Sequence, residues 1–270
     1  MLPNILYAAE IIIFSEQDLE KLQRTDNSAY RNILQLPIYT ATEFLRGDVG
    51  ASSTKARDIK SKLLFIKHAI RSDGNKLLCQ LMCNELEKKQ LKWTKDIFKQ
   101  MEKVGITIND VKQMKINMLK KKIIEWDENI WRNNMERKSS LLLYRNNKNK
   151  MNEEKWFKNG NKYEIMMKAR SNSLKLGKRD WENHDNICKM CNEGEETLQH
   201  FIISCISLND TRISFIQLQR PHNENIEDII KKVLLFEQDS EFSTEYYIDL
   251  VYKLWIHRKR LINEIPEEDI

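Results

Sequence analysis

Four side chains limit how this chain can fold more than any other feature: Cys188, Cys191, His200 and Cys205, spaced C-x2-C-x8-H-x4-C within 18 residues. Two thiolates separated by two residues reach one cation from a single tight turn, and a His and a Cys beyond a short loop close the tetrahedron. Asn192-Glu193-Gly194 supplies turn chemistry between the ligand pairs, and Leu198, Phe201 and Ile202 give the segment an apolar side. Three thiolates and one imidazole leave no position open for water or substrate, so one structural zinc ion is expected here, without a catalytic role. The competing reading is a set of buried or reactive thiols beside a surface histidine. His184 is close enough in sequence to compete for the fourth position.

Around that segment the chain reads as helical. Seven glycines and four prolines in 270 residues are about 4%, against roughly 12% in ordinary chains. A hairpin-rich fold needs glycine at many turns, so the expected class is all-α. Ser15 and Asp18 form a capping box for a helix that Pro37 closes, and Thr40 with Glu43 offers a second, shorter one. Ala56, Ile59, Leu63, Ile66, Ala69 and Ile70 recur in steps of three and four, the clearest amphipathic pattern, and Asp73-Gly74 stops it. Helices over 77–91 and 94–103 follow, with Gly105 as a C-terminal stop. Asn109 is then expected to cap a long helix through Val111, Met114, Met118, Ile123, Trp126 and Ile130. Leu250, Leu254, Trp255, Ile256 and Leu261 mark a last one.

This organisation predicts a helical bundle over 1–145, a basic linker region over 146–187, the zinc knuckle over 188–205 and a helical segment over 206–270. Residues 148–179 hold ten basic and three acidic residues, a net of +7, whereas 223–249 hold eight acidic and two basic, a net of −6. The most apolar stretch, residues 5–14, is too short to span a bilayer and has no basic residues before it to make a secretory signal. With five cysteines and no export signal, a reducing compartment is expected, nucleus or cytoplasm, with no membrane partner.

Lys168, Arg170, Lys175, Lys178, Arg179 and Trp181 put cations and a ring just before the first ligand, a combination suited to phosphate contact and base stacking. Lys55, Arg57, Lys60, Lys62, Lys67 and Arg71 on the clearest helix read either as a second phosphate track or as a solvated face. Cys79 and Cys83 share a helix face and read as small buried hydrophobes. The chain has no Tyr-x-Asp-Asp or Phe-x-Asp-Asp pair, no Gly-rich phosphate loop and no G-x-S-x-G, so no catalytic residue and no small-molecule substrate is expected.

Ile5-Leu6-Tyr7-Ala8-Ala9-Glu10, Asp18-Leu19, Lys21-Leu22-Gln23 and Ile33-Leu34-Gln35-Leu36-Pro37 resemble the start of the helical thumb in reverse transcriptases of non-LTR (LINE-type) retrotransposons. Leu45-Arg46, Gly50 and residues 55–71 are similar to the following thumb stretch, and 170–205 to the C-terminal zinc knuckle of that family. The resemblance implies a duplex-gripping bundle and a knuckle that assists in holding RNA or DNA. With Met1 falling where the thumb would start, the expectation is a chain without fingers and palm, a non-catalytic remnant, truncated or domesticated. The alternative expectation is a zinc-stabilised helical module that binds a protein partner.

Overall fold

The computed structural model describes residues 8–71, 76–177, 186–216, 225–237 and 242–262. Its class is all-α, and among the described residues the only strand-like pairings are the isolated bridges Val49–Glu153 and Ile187–Glu195. The helices are α1 (Glu16–Ile33), α2 (Thr42–Val49), α3 (Thr54–Ile70), α4 (Lys76–Lys88), α5 (Lys92–Val104), α6 (Ile108–Gln113) and α7 (Ile116–Glu136). After them come α8 (Leu142–Asn147), α9 (Asn161–Arg170), α10 (Asn209–Ile216), α11 (Ile226–Val233) and α12 (Thr244–Leu261).

The chain divides into two compact units. One comprises Met1–Tyr30, Leu45–Arg137 and Lys150–Glu153, the other Arg31–Phe44, Lys138–Asn149 and Glu154–Ile270. These borders do not coincide with the expected 1–145 bundle. Residues 31–44 and 138–149 belong to the second unit because of contacts remote in sequence. Phe44 packs edge-on against Tyr144 with ring centroids 5.0 Å apart, Tyr39 Oη donates to the Ser173 carbonyl at 3.2 Å, and Lys138 pairs with Glu43.

In the first unit α3 is central. Ser53 accepts a hydrogen bond from the Ala56 N–H and so starts the helix, and Ala56, Ile59, Leu63, Ile66 and Ala69 are all buried. They pack with Met82 and Leu86 of α4, Ile97 and Met101 of α5, and Leu119 and Ile123 of α7. Each of the larger aliphatic side chains contributes about 1.5–3 kcal/mol on burial. Four of the six basic residues of the second candidate phosphate track, Lys55, Arg57, Lys62 and Lys67, are engaged within the chain, while Lys60 is half-buried and Arg71 exposed. Lys62 is buried between Asp58 and Asp96, Lys67 Nζ donates to the Val111 carbonyl at 2.7 Å, Arg57 pairs with Asp26, and Lys55 pairs with Glu16. Burial pushes the Asp58 carboxyl above, and the Lys67 ammonium below, their ordinary values.

The Ser15–Asp18 capping box forms as expected, and Gly105 ends α5 at φ 70°. Thr40 caps nothing: α2 starts two residues later, and Glu43 faces Lys138 instead. The long helix expected from Asn109 is two helices. Thr107 makes the capping box with Asp110, and Met114 is extended between α6 and α7. The apolar face of α7 therefore runs through Leu119, Ile123, Trp131 and Met135, while Met118 and Ile130 are exposed.

The second unit is built on α9 and α12. Tyr163, Ile165, Met166 and Ala169 of α9 meet Tyr247, Ile248, Leu250, Val251, Leu254 and Trp255 of α12 in one core. The expected linker is thus partly a buried helix. Its lysines disguise it: Lys158 and Lys162 carry their charges to the rim, where both meet Glu245, and Lys162 also meets Asp249.

Candidate metal centre

The segment between α9 and α10 carries the four sequence-predicted ligands and brings them to one point. The Cys188 N–H donates to the Gly194 carbonyl at 2.8 Å and the Asn192 N–H to the Cys188 carbonyl at 2.9 Å, with Asn192 left-handed at φ 57°. That turn lets Cys188 and Cys191 face the same way. On the other side a π-type turn over His200–Ser204 replaces regular helix, and the Cys205 N–H donates to the His200 carbonyl at 2.8 Å. The wider turn sets His200 and Cys205 on one side.

All four ligand atoms lie within 4.8 Å of one another, so the cluster can hold one metal ion. The Sγ atoms of Cys188 and Cys205 are 3.7 Å apart, and Cys191 Sγ is 3.3 Å from His200 Nε2, the ring nitrogen in contact with the sulfur. Cys188 and Cys205 are completely buried; Cys191 and His200 are half-buried. Burial pushes the Cys188 thiol up, and burial together with the neighbouring sulfurs pushes Cys205 up to about 12. Burial lowers His200. A cation would reverse the thiol shifts by stabilising thiolate, while the neutral imidazole is already the form that ligates.

The site is part of the second unit's core. Cys188 and Cys205 belong to the same apolar cluster as Phe201, Ile202, Leu208, Leu254 and Trp255, and Phe201 packs edge-on to Trp255 at 6.2 Å. Three buried charged residues around it carry no local sequence signal. Glu196, between the ligand pairs, accepts from Arg258 Nε and a terminal guanidinium nitrogen at 2.7 and 3.1 Å. It also accepts from the Gly177 N–H at 2.9 Å. Gly177 is left-handed at φ +43°, and a Cβ there would lie 2.7 Å from the Glu196 carbonyl oxygen, so only glycine fits this approach. Arg212 donates to the Cys205 carbonyl at 2.7 Å. Glu196 sits in an acidic run and Arg258 in a basic one 62 positions away, and both runs read as ordinary surface.

The residues expected to touch nucleic acid fare differently from one another. Arg170 is 1% exposed and cannot reach a phosphate. It donates to the Leu234 carbonyl, pairs with Glu154, and lies over the rings of Phe236 and Trp156 at 4.3 and 5.4 Å. Its role is to tie α9 to the turn after α11. Lys168 pairs with Glu164 one turn earlier, and Lys175 is exposed. Lys178, Arg179 and Trp181, like His184, lie outside the described residues. Cys79 and Cys83 are half-buried on α4, with Cys79 Sγ 3.2 Å from the Ile70 carbonyl.

Part of the charge reversal along the sequence is internal pairing. Lys158 and Lys162 meet Glu245 and Asp249, so part of the +7 stretch is answered by part of the −6 stretch. Glu245 is held down to about 2 by Lys158, Tyr163 and Lys162. Among the described residues no helix is long and apolar enough to cross a membrane. No family model, curated protein or solved structure matches the chain.

Proposed function

We propose that the chain holds one structural zinc ion and binds RNA or DNA without catalysis, as a remnant of a retrotransposon reverse transcriptase. The geometry of the cluster carries the zinc assignment. A tetrahedral zinc with bonds of about 2.3 Å to sulfur and about 2.0 Å to nitrogen separates two thiolates by about 3.8 Å and a thiolate from an imidazole nitrogen by about 3.5 Å. The corresponding separations here are 3.7 and 3.3 Å. Three thiolates and an imidazole favour zinc over magnesium or calcium, which prefer oxygen. All four positions are filled by protein, so the ion braces the fold and activates no water.

The nucleic-acid reading is supported by the order of helical unit and knuckle, which resembles the reverse-transcriptase C-terminal region, and by Lys175 standing exposed ahead of Lys178, Arg179 and Trp181. The acidic 223–249 segment, which as a sequence favours a protein partner, has Glu245 and Asp249 already paired within the chain.

Two measurements test the proposal. Metal analysis of the purified protein should return one zinc per chain, and full retention of zinc by both Cys188→Ser and Cys205→Ser would refute the site. Anisotropy titration with mixed-sequence single-stranded RNA and DNA should show binding that weakens steeply with salt. Absence of binding at low salt would refute the nucleic-acid part.

A further inference from the structure

With Lys148, Lys158, Lys162 and Lys168 paired inside the chain, unanswered positive charge has to collect elsewhere. Between Val111 and Ile124 the chain has five lysines, Lys112, Lys115, Lys120, Lys121 and Lys122, and no acidic residue. They sit around the junction of α6 and α7, only two residues long. Lys112 and Lys115 are exposed, and Lys121 has 72% of its side chain in solvent. The two nearest acids, Asp110 and Glu125, offset at most two of the five charges. Asp110 Oδ1 is 3.6 Å from Lys122, a lysine left out of the proposed contacts, while Asp110 Oδ2 accepts from the Thr107 N–H and hydroxyl at 2.8 and 2.9 Å. Glu125 reaches Lys121 only at 3.7 Å, with both side chains exposed, a pairing worth little in water.

We propose that the α6–α7 junction is a docking surface for the phosphodiester backbone of a nucleic acid, with Lys112, Lys115, Lys120 and Lys121 as the contacts. The inference rests on the nucleic-acid reading above and moves the principal contact from the knuckle's flank to the first unit. At about 100° per residue, Lys120, Lys121 and Lys122 fan around about 200° of the helix, so their long arms can bracket a strand crossing the end of α7. The start of α7 adds to the field: its capping residue is Lys115, without a side-chain cap, and its first turn has no acid.

Charge and chemistry select the occupant. A bilayer would lie along the length of α7, where Glu125, Glu128 and Glu136 follow the lysines, and the lysine-rich turn has no exposed aromatic ring to insert. Protein interfaces are anchored by Trp, Tyr and Arg and are poor in Lys, the reverse of this surface. A phosphate backbone requires only closely spaced cations.

The test compares three zinc-loaded full-length proteins by anisotropy against single-stranded RNA and DNA across a salt series. One is wild type, one carries Lys112→Gln, Lys115→Gln, Lys120→Gln and Lys121→Gln, and one carries Lys88→Gln, Lys92→Gln, Lys95→Gln and Lys99→Gln as a charge-matched control on α4 and α5. The junction variant should lose at least about tenfold in affinity, and its log–log salt slope should flatten by about 3, at about 0.7–0.9 for each phosphate no longer neutralised. The control should keep its slope within about 1 of wild type. Unaltered zinc content and helicity should show that both variants fold; if the junction variant does not, Lys115→Gln with Lys121→Gln should give about half the change in slope. Equal losses in both variants, or none in the junction variant while wild type binds, would overturn this surface and leave the proposed function standing. No binding by wild type would overturn both. Tighter wild-type binding to phosphatidylserine vesicles than to RNA or DNA, abolished in the junction variant, would give the surface to a membrane instead.

Discussion

The two units solve the same problem, a helical core in a charge-rich chain, by different means. In the first, one amphipathic helix carries the core: α3 presents five buried apolar residues to α4, α5 and α7, and the unit's buried charges are closed both locally, as in Lys62 with Asp58, and at long range, as in Arg46 with Asp127. In the second, α9 and α12 close around a cluster that includes two of the four candidate metal ligands, and a buried charge pair, Arg258 with Glu196, lies beside that cluster. The first core is complete once its helices dock. The second has in its interior a Cys/His cluster that could hold one metal ion, and under the proposed zinc reading metal binding and folding of that unit become one event.

The largest expected effect of that difference comes from removing a ligand. Cys205→Ser should cost the second unit most of its folding free energy, since structural zinc contributes about 10–16 kcal/mol in small zinc domains and whole domains are stable by about 5–15 kcal/mol. Thermal melts should show one transition abolished and one retained. Next comes Arg258→Met, which leaves the Glu196 carboxylate buried without its cation and should destabilise by about 3–5 kcal/mol. Denaturant titration with zinc measured alongside should show the second unit alone affected. Leu63→Ala is the reciprocal probe in the first unit: a cavity at a 1% exposed position should cost about 2–5 kcal/mol and leave zinc stoichiometry at one.

How far each unit can be read from the sequence follows from the same contrast. The buried face of α3 is visible at steps of three and four because period 3.6 is a local property, and the ligand set is visible because chelation fixes spacing. The unit borders are not. Residues 31–44 join the second unit through Phe44 on Tyr144 and Tyr39 on Ser173, partners about 100 positions away or more that leave no local pattern. Arg170 reads as a phosphate contact because a cation followed by cations reads as surface, yet Glu154, Trp156, Phe236 and the Leu234 carbonyl enclose it. The break at Met114 is hidden because the apolar residues continue through it and α7 restarts at Lys115 with no side-chain cap; the Thr107–Asp110 box marks only the start of α6.

A smaller effect sharpens the comparison through pH. Burial holds the Cys188 and Cys205 thiols above their ordinary values, so both carry protons near neutrality and must release them to bind metal. Zinc affinity should therefore rise with pH, and calorimetry in buffers of different ionisation enthalpy should show at least two protons released per ion. Glu245, held down to about 2, adds stability that is present above the ordinary carboxylate range and is lost as pH falls toward 2. The first unit, with no ligand thiols, should show no zinc-linked pH dependence.

The claim that the metal belongs to the core of the second unit is tested most directly by hydrogen exchange, resolved by peptide, before and after chelation. The account predicts that protection falls across α9 and α12 together with residues 188–205, while α3, α4, α5 and α7 keep theirs. Loss of protection confined to 188–205, with α9 and α12 unchanged, would contradict it and return the metal segment to the status of a detachable knuckle.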